Sequence, residues 1–166
     1  MAEVLQLNKI VGSIAGRFEL PLSKSMVNRA LLLAALFPEI TLSGMSTSKD
    51  SQYLKEVLSG YLGEQAYVGD GGTTLRFASA YWACQPGTVQ ELVGSEKLNK
   101  RPIAPLVDAL NSLGGDVRYT STKEEAPLLI HGKHLVGGYY KFGHVASSQF
   151  ITALMLISTK MNQGLH

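Results

Sequence analysis

The sequence predicts an α/β (α+β) fold assembled from a repeated unit, and three observations carry that prediction. The order strand, hydroxyl-capped apolar helix, strand, amphipathic helix, strand recurs along the chain, and its third copy lacks a second half. Short alternating runs of strand character separate segments of helical period throughout. At 166 residues, 45% hydrophobic and only 17% charged, the chain is long and apolar enough for one full core, burying roughly 70% of its unfolded surface.

Residues 4–10 and 17–20 alternate apolar with polar side chains around Gly12 and Gly16 and read as two strands. Residues 25–37 form a helix apolar on nearly every face, the mark of a buried helix, and Pro38 stops it. A strand at 40–43 leads to an amphipathic helix at 48–60, with Tyr53, Leu54, Val57 and Leu58 on one face and Gly60 as its stop. Residues 66–68 make a short strand. The unit then recurs. Gly69-Asp-Gly-Gly-Thr-Thr74 is a glycine-rich turn into a second apolar helix, ended by Pro86-Gly87. A strand at 88–93 follows, then an amphipathic helix at 102–114 carrying Ile103, Leu106, Val107, Leu110 and Leu113 in register, then strands at 117–119 and 128–130. The third unit opens with a strand at 139–142 and an apolar helix at 146–157.

The three apolar helices share a feature at their starts. Ser23-Lys-Ser25, Gly71-Gly-Thr-Thr74 and Ser147-Ser148 each place hydroxyls where they can cap a helix. A helix start carries the equivalent of about +0.5 charge and unpaired N–H groups, so each is a ready anion site. Lys24 and Arg29 add cations to the first, and no Asp or Glu stands between residues 20 and 38 to cancel them. Arg76 and Arg101 add two more. If the units pack about a shared axis, the three starts converge on one pocket suited to a ligand bearing phosphate and carboxylate. At an effective dielectric of 20, a unit pair 4 Å apart is worth about 4 kcal/mol.

Other chemistries fail on their residues. Cys84 is the single cysteine and falls in an apolar helical pattern, which leaves no disulfide or cysteine metal site and predicts a buried, inert thiol. Asp70-Gly-Gly-Thr-Thr lacks a phosphate-loop lysine, and Lys24-Ser25 lacks its glycines. Ser46-Thr-Ser-Lys49 has the spacing of penicillin-reactive enzymes without their partner motifs. His131 and His134 lack nearby carboxylates in sequence, and no acid/base carboxylate pair stands out, so no metal, cofactor or catalytic residue is expected in this chain. A net charge of +2 does not indicate a nucleic-acid-sized basic footprint and suits small anions better, so no nucleic-acid partner is expected. The apolar runs are too short for a membrane span and Glu3 stands where a signal peptide would be basic, so the expected location is cytoplasmic.

Leu-Pro-Leu-Ser-Lys-Ser-Met-Val-Asn-Arg-Ala-Leu-Leu-Leu-Ala-Ala, from Leu20, resembles the Leu-Pro-Gly-Ser-Lys-Ser-x-x-Asn-Arg-Ala signature of the EPSP synthases, the 3-phosphoshikimate 1-carboxyvinyltransferases of the shikimate pathway. Asp70-Gly-Gly-Thr-Thr-Leu-Arg76, Lys100-Arg-Pro-Ile103 and Ala146-Ser-Ser-Gln-Phe150 are similar to three further motifs of that family, in the same order. The resemblance implies an incomplete domain of an enolpyruvyl-transferase-like inside-out α/β barrel made of βαβαββ units. Residues 1–19 would then be strands of another, missing domain, and residues 20–166 a partial domain of about two and a half units. It also implies two small-molecule partners, shikimate 3-phosphate and phosphoenolpyruvate, and a third partner in the missing C-terminal part of the same enzyme.

By motif, Lys24, Ser25 and Arg29 would hold shikimate 3-phosphate, Gly72 and Arg101 phosphoenolpyruvate, and Ser147 and Ser148 the shikimate phosphate. Gln149 would sit between the ligands, and Thr73 belongs to the second helix start. The family's catalytic aspartate, glutamate and second lysine have no counterpart here, so the chain is expected to bind anions without turning them over. Leu22 stands where the family has a small residue, which questions the approach of a ligand to that turn. Two alternatives are a stand-alone phosphate-binding module and a relative of the UDP-N-acetylglucosamine enolpyruvyl transferases, which lack the Ser-Lys-Ser and Ser-Ser-Gln patterns; an RNA-end-processing relative ranks lower.

Overall fold

The computed structural model describes residues 12, 15–17, 19–60, 63, 65–143 and 147–166. Among the described residues, six α-helices and four strands follow in chain order: α1 Lys24–Leu36, α2 Lys49–Leu58, β1 Gln65–Tyr67, α3 Gly72–Ala83, β2 Val89–Val93, α4 Glu96–Asn99, α5 Ala104–Ser112, β3 Val117–Tyr119, β4 Leu128–His131 and α6 Gln149–Ile157. A 3₁₀ turn, Ser158–Lys160, closes the last helix. Helices and strands thus mix as the α/β reading requires.

The strands form one sheet in the order β1-β2-β4-β3. β1 runs parallel to β2, with Ala66 opposite Leu92, because α3 carries the chain across between them. β4 is antiparallel to both neighbours, with Gln90 opposite Ile130 and Val117 opposite Ile130. Alternation along the strands puts Ala66, Leu92, Leu128, Ile130 and Val117 in the interior.

α3 lies at the centre, touching α1, α2, α5, α6 and strands β2 and β4. Ten of its residues are buried, and the only two that are not are Thr73 and Arg76. Enclosure on every side explains its composition of alanine, aromatics and leucine: a helix with no solvent face needs no polar stripe. Phe77 and Phe150 are fully buried beside Leu32, Leu54 and Leu75, each large side chain contributing about 2–3 kcal/mol of transfer free energy.

Several sequence expectations are corrected. α1 is apolar all round yet only half enclosed; Val27, Asn28, Leu31, Leu32 and Leu36 are buried, whereas Met26 is 67% exposed. It packs against α2, α3 and α6, while Met26 and Ala30 face an open groove shared with residues 41–44. Residues 40–43 are extended without joining the sheet, and among residues 17, 19 and 20 there is no strand. Residues 4–10 lie outside the described residues. At 139–142 no strand joins the sheet; instead Gly138 pairs with Leu165, and Tyr140 N–H donates to the His166 carbonyl at 3.0 Å. The short helix α4, capped by Ser95 accepting from Leu98 N–H at 3.2 Å, escaped periodicity because four residues make barely one turn.

Hydroxyl capping also differs. Neither Ser23, Gly71 nor Ser148, the residues preceding α1, α3 and α6, makes a side-chain cap bond. The serine caps fall on α2 and α4, where Ser48 accepts from Ser51 N–H at 3.3 Å and Ser95 caps as described. The hydroxyls of the apolar helices are used elsewhere: Thr74 Oγ1 donates to the Asp50 carbonyl at 3.0 Å, and Ser25 Oγ accepts from Arg29 Nη1.

Cys84 caps the C-terminal end of α3, buried as expected, its Sγ donating to the Tyr81 carbonyl at 3.2 Å. Burial, the largest effect, pushes its thiol up to about 11, against smaller opposing contributions from Gln85 and Lys160. Two outcomes follow from this packing. Phe77→Ala should cost about 3–5 kcal/mol in urea unfolding, the range for emptying a large buried aromatic site. Because the folded thiol holds its proton at higher pH than the unfolded one, its contribution to stability is complete below about pH 9 and lost as pH rises towards about 11; the loss measured in unfolding curves should shrink in Cys84→Ala.

Candidate anion-binding cleft

The first residue of each apolar helix stands on one cleft. Lys24 begins α1, Gly72 begins α3 and Gln149 begins α6, and all three line a cavity of about 350 Å³ with Asp50, Asp70, Gly71, Thr73, Arg76 and Arg101. α3 is the axis: its buried faces lock the helix, so its first turn presents the half-buried Thr73 and Arg76 to the opening.

Arg76 is the most constrained cation. Its Nη1 donates to Gln149 Oε1 at 2.6 Å, its Nη2 to the Pro102 carbonyl at 3.2 Å, and its guanidinium lies 4.7 Å from the centre of the Phe150 ring. One side chain therefore ties the second helix start to the third and to the Arg101-Pro102 turn. Burial first, and the Arg101 charge second, lower its pKa, but a guanidinium remains protonated at neutral pH. Among the described residues Arg101 makes no side-chain hydrogen bond or ion pair, and it is exposed.

A methyl placed on Gly72 would stand 3.0 Å from Arg76 Nη1 and 3.5 Å from Arg101 Nη1. The bare glycine thus leaves a spot where one ligand atom reaches both guanidiniums and the N–H groups of the first turn.

Lys24 is not an uncompensated cation. Its Nζ lies 2.8 Å from Asp50 Oδ2, a carboxylate from the first turn of α2. The sequence stretch around Lys24 lacks acids, and the partner comes from 26 residues away. The cleft holds three cations, Lys24, Arg76 and Arg101, against two carboxylates, Asp50 and Asp70.

Of the nine residues picked out in the sequence, Lys24, Gly72, Thr73, Arg101 and Gln149 line the cleft. Ser25 and Arg29 bond each other one turn along α1, Arg29 Nη1 also donating to the Ser25 carbonyl at 2.8 Å. Ser147 Oγ accepts from Gln149 N–H at 3.3 Å, and Ser148 precedes α6; neither lines the cavity. Sequence reasoning missed Asp50 and Asp70 as lining groups. Only an acid at the second residue of an amphipathic helix could have flagged Asp50, and that position is usual for dipole compensation alone. Leu22 faces away, half-exposed beside Met26 and Leu42 on a separate groove. No described non-glycine residue has positive φ, so leucine is unstrained there.

The cleft so described predicts that Gly72→Ala leaves unfolding stability within about 1 kcal/mol, because alanine suits a helix better than glycine. The same change should weaken inorganic phosphate binding about tenfold by crowding Arg76 and filling the space between the two guanidiniums, read by calorimetry.

Comparison with known proteins locates this architecture. The family model described as EPSP synthase (3-phosphoshikimate 1-carboxyvinyltransferase) matches residues 45–166. A 3-phosphoshikimate 1-carboxyvinyltransferase of Bacteroides fragilis is 35% identical over 153 residues, covering 92% of this chain and 37% of the relative. One from Opitutus terrae is 32% identical over 184 residues, covering 95% and 43%. The solved EPSP synthase from Acinetobacter baumannii superposes with a TM-score of 0.71 at 20% identity, covering 88% of this chain and 39% of that one, which supports the fold. The chain spans about two-fifths of the length of these curated relatives.

Proposed function

The chain belongs to the EPSP synthase family, and from that premise we propose that its cleft is the part of a 3-phosphoshikimate 1-carboxyvinyltransferase site that grips the substrates' anionic groups. The whole enzyme would transfer the enolpyruvyl group of phosphoenolpyruvate to the 5-hydroxyl of shikimate 3-phosphate, within aromatic amino acid biosynthesis. One observation carries the reading: three helix starts and the Arg101 side chain open on a single cavity.

In this reading Arg101, Gly72 and the first-turn N–H groups of α3 take the phosphate or carboxylate of phosphoenolpyruvate. Lys24 reaches both ligands, since an ammonium has three donors and Asp50 uses one. Gln149, oriented by Arg76, lies between them. Ser25, Arg29, Ser147 and Ser148 belong to the shikimate 3-phosphate end, within a turn of the cleft's lining. These groups position ligands and stabilise charge, functions that a preorganised set of donors performs without moving protons. Addition to C2 with protonation of C3, and the later loss of phosphate, need the catalytic aspartate, glutamate and second lysine of the family, whose motifs this chain does not carry; of the two carboxylates on the cleft, Asp50 is paired with Lys24.

Among the described residues no helix is long and apolar enough to cross a membrane, which agrees with an enzyme working on water-soluble phosphates. The proposed location is cytoplasmic.

Calorimetry on the 166-residue chain tests the assignment. It should bind shikimate 3-phosphate, and Ser147→Ala with Ser148→Ala should weaken that binding about tenfold; unchanged affinity removes the third helix start from the site. Phosphate release from the two substrates by this chain alone should be absent, and its detection would contradict the division of labour proposed here.

A further inference from the structure

A carboxylate aimed into an anion cleft works against the cleft's purpose, and the position of Asp50 is closely specified. Its Oδ2 meets Lys24 Nζ at 2.8 Å. Its backbone carbonyl accepts from Thr74 Oγ1 at 3.0 Å, fixing α2 to the start of α3. Its carboxyl group rests on the bare Cα of Gly71, where an added methyl would stand 2.7 Å from Asp50 Cγ and 2.9 Å from Oδ1. A side chain on the glycine would evict the carboxylate.

Ordinary structural roles do not account for this seat. Ser48 already caps α2, so the helix does not need Asp50 as its cap. An ion pair whose lysine is half exposed adds little stability and requires no glycine beneath it. Oδ1, meanwhile, has no hydrogen-bond partner among the described residues, although Asp50 lines the cavity. It is an acceptor only, open to a donor from a ligand in the cavity or from water.

We propose that Asp50 is a specificity-determining residue of the cleft. Its fixed negative charge beside Lys24 disfavours a bare anion, and its open oxygen favours a ligand that carries a hydroxyl next to its phosphate or carboxylate. Discrimination arises as much from the repulsive group as from the attractive ones. This deepens the functional reading above and rests on the cleft being the ligand site.

The test is calorimetry on the 166-residue chain, wild type and Asp50→Asn, with three probes: inorganic phosphate, glycerol 3-phosphate and shikimate 3-phosphate. Asparagine keeps the shape and removes the charge, and Asp50→Ser serves as a second variant; thermal melting verifies folding of each. Asp50→Asn should tighten inorganic phosphate about tenfold while changing either hydroxylated ester less than about threefold. Adding Lys24→Met to Asp50→Asn should abolish the gain.

An equal gain for all three probes, or none for phosphate, overturns the proposal. If wild type binds phosphate and glycerol 3-phosphate but not shikimate 3-phosphate, the functional reading fails while the ratio of the first two still decides the role of Asp50. No binding of any probe by any of the proteins overturns both.

Discussion

Everything in the cleft depends on α3 being enclosed by the rest of the molecule. Four helices and two strands press on it, and the packed surface leaves it no freedom to rotate or slide without opening voids that cost several kcal/mol. Only Thr73 and Arg76 escape burial. A helix locked along its length holds its first turn as rigidly as its middle, so the N–H groups and the Arg76 stem are preorganised by hydrophobic packing rather than by hydrogen bonds within the site.

Arg76 extends that rigidity outward. By bonding Gln149 and the Pro102 carbonyl and stacking against Phe150, it couples the start of α3 to the start of α6 and to the turn bearing Arg101. The cost is partial burial of a cation and, second to it, the like charge of Arg101, which together lower the Arg76 pKa. In the proposed reading, a ligand anion between the two guanidiniums would offset that like charge.

The opposite end of the cleft is balanced differently. There Lys24 is neutralised by Asp50, held by Thr74 and seated on Gly71. Two guanidiniums therefore stand beside Gly72 and the pair of Lys24 and Asp50 stands by Gly71, an asymmetry that in the proposed reading would orient a ligand bearing both an anion and hydroxyls.

Periodicity, glycine turns and four ordered motifs were enough to place all three apolar helices, both amphipathic helices and the strands of the sheet within a few residues, because these signals are local. They also named Lys24, Gly72, Thr73 and Gln149, whose positions at helix starts are written in the residues themselves, and Arg101, in the turn before Pro102. What they could not locate were features made by neighbours far apart in the chain. The exposed flank of α1 was invisible because burial belongs to what packs alongside, and α1 is as apolar as α3. The segments at 40–43 and 139–142 carry strand-like side chains, but strand identity needs a partner, and only the fold supplies or withholds one. Asp50 joined Lys24 across 26 residues for the same reason: charge is set by the sequence, whereas the charge that cancels it is set by which helix the tertiary structure brings alongside.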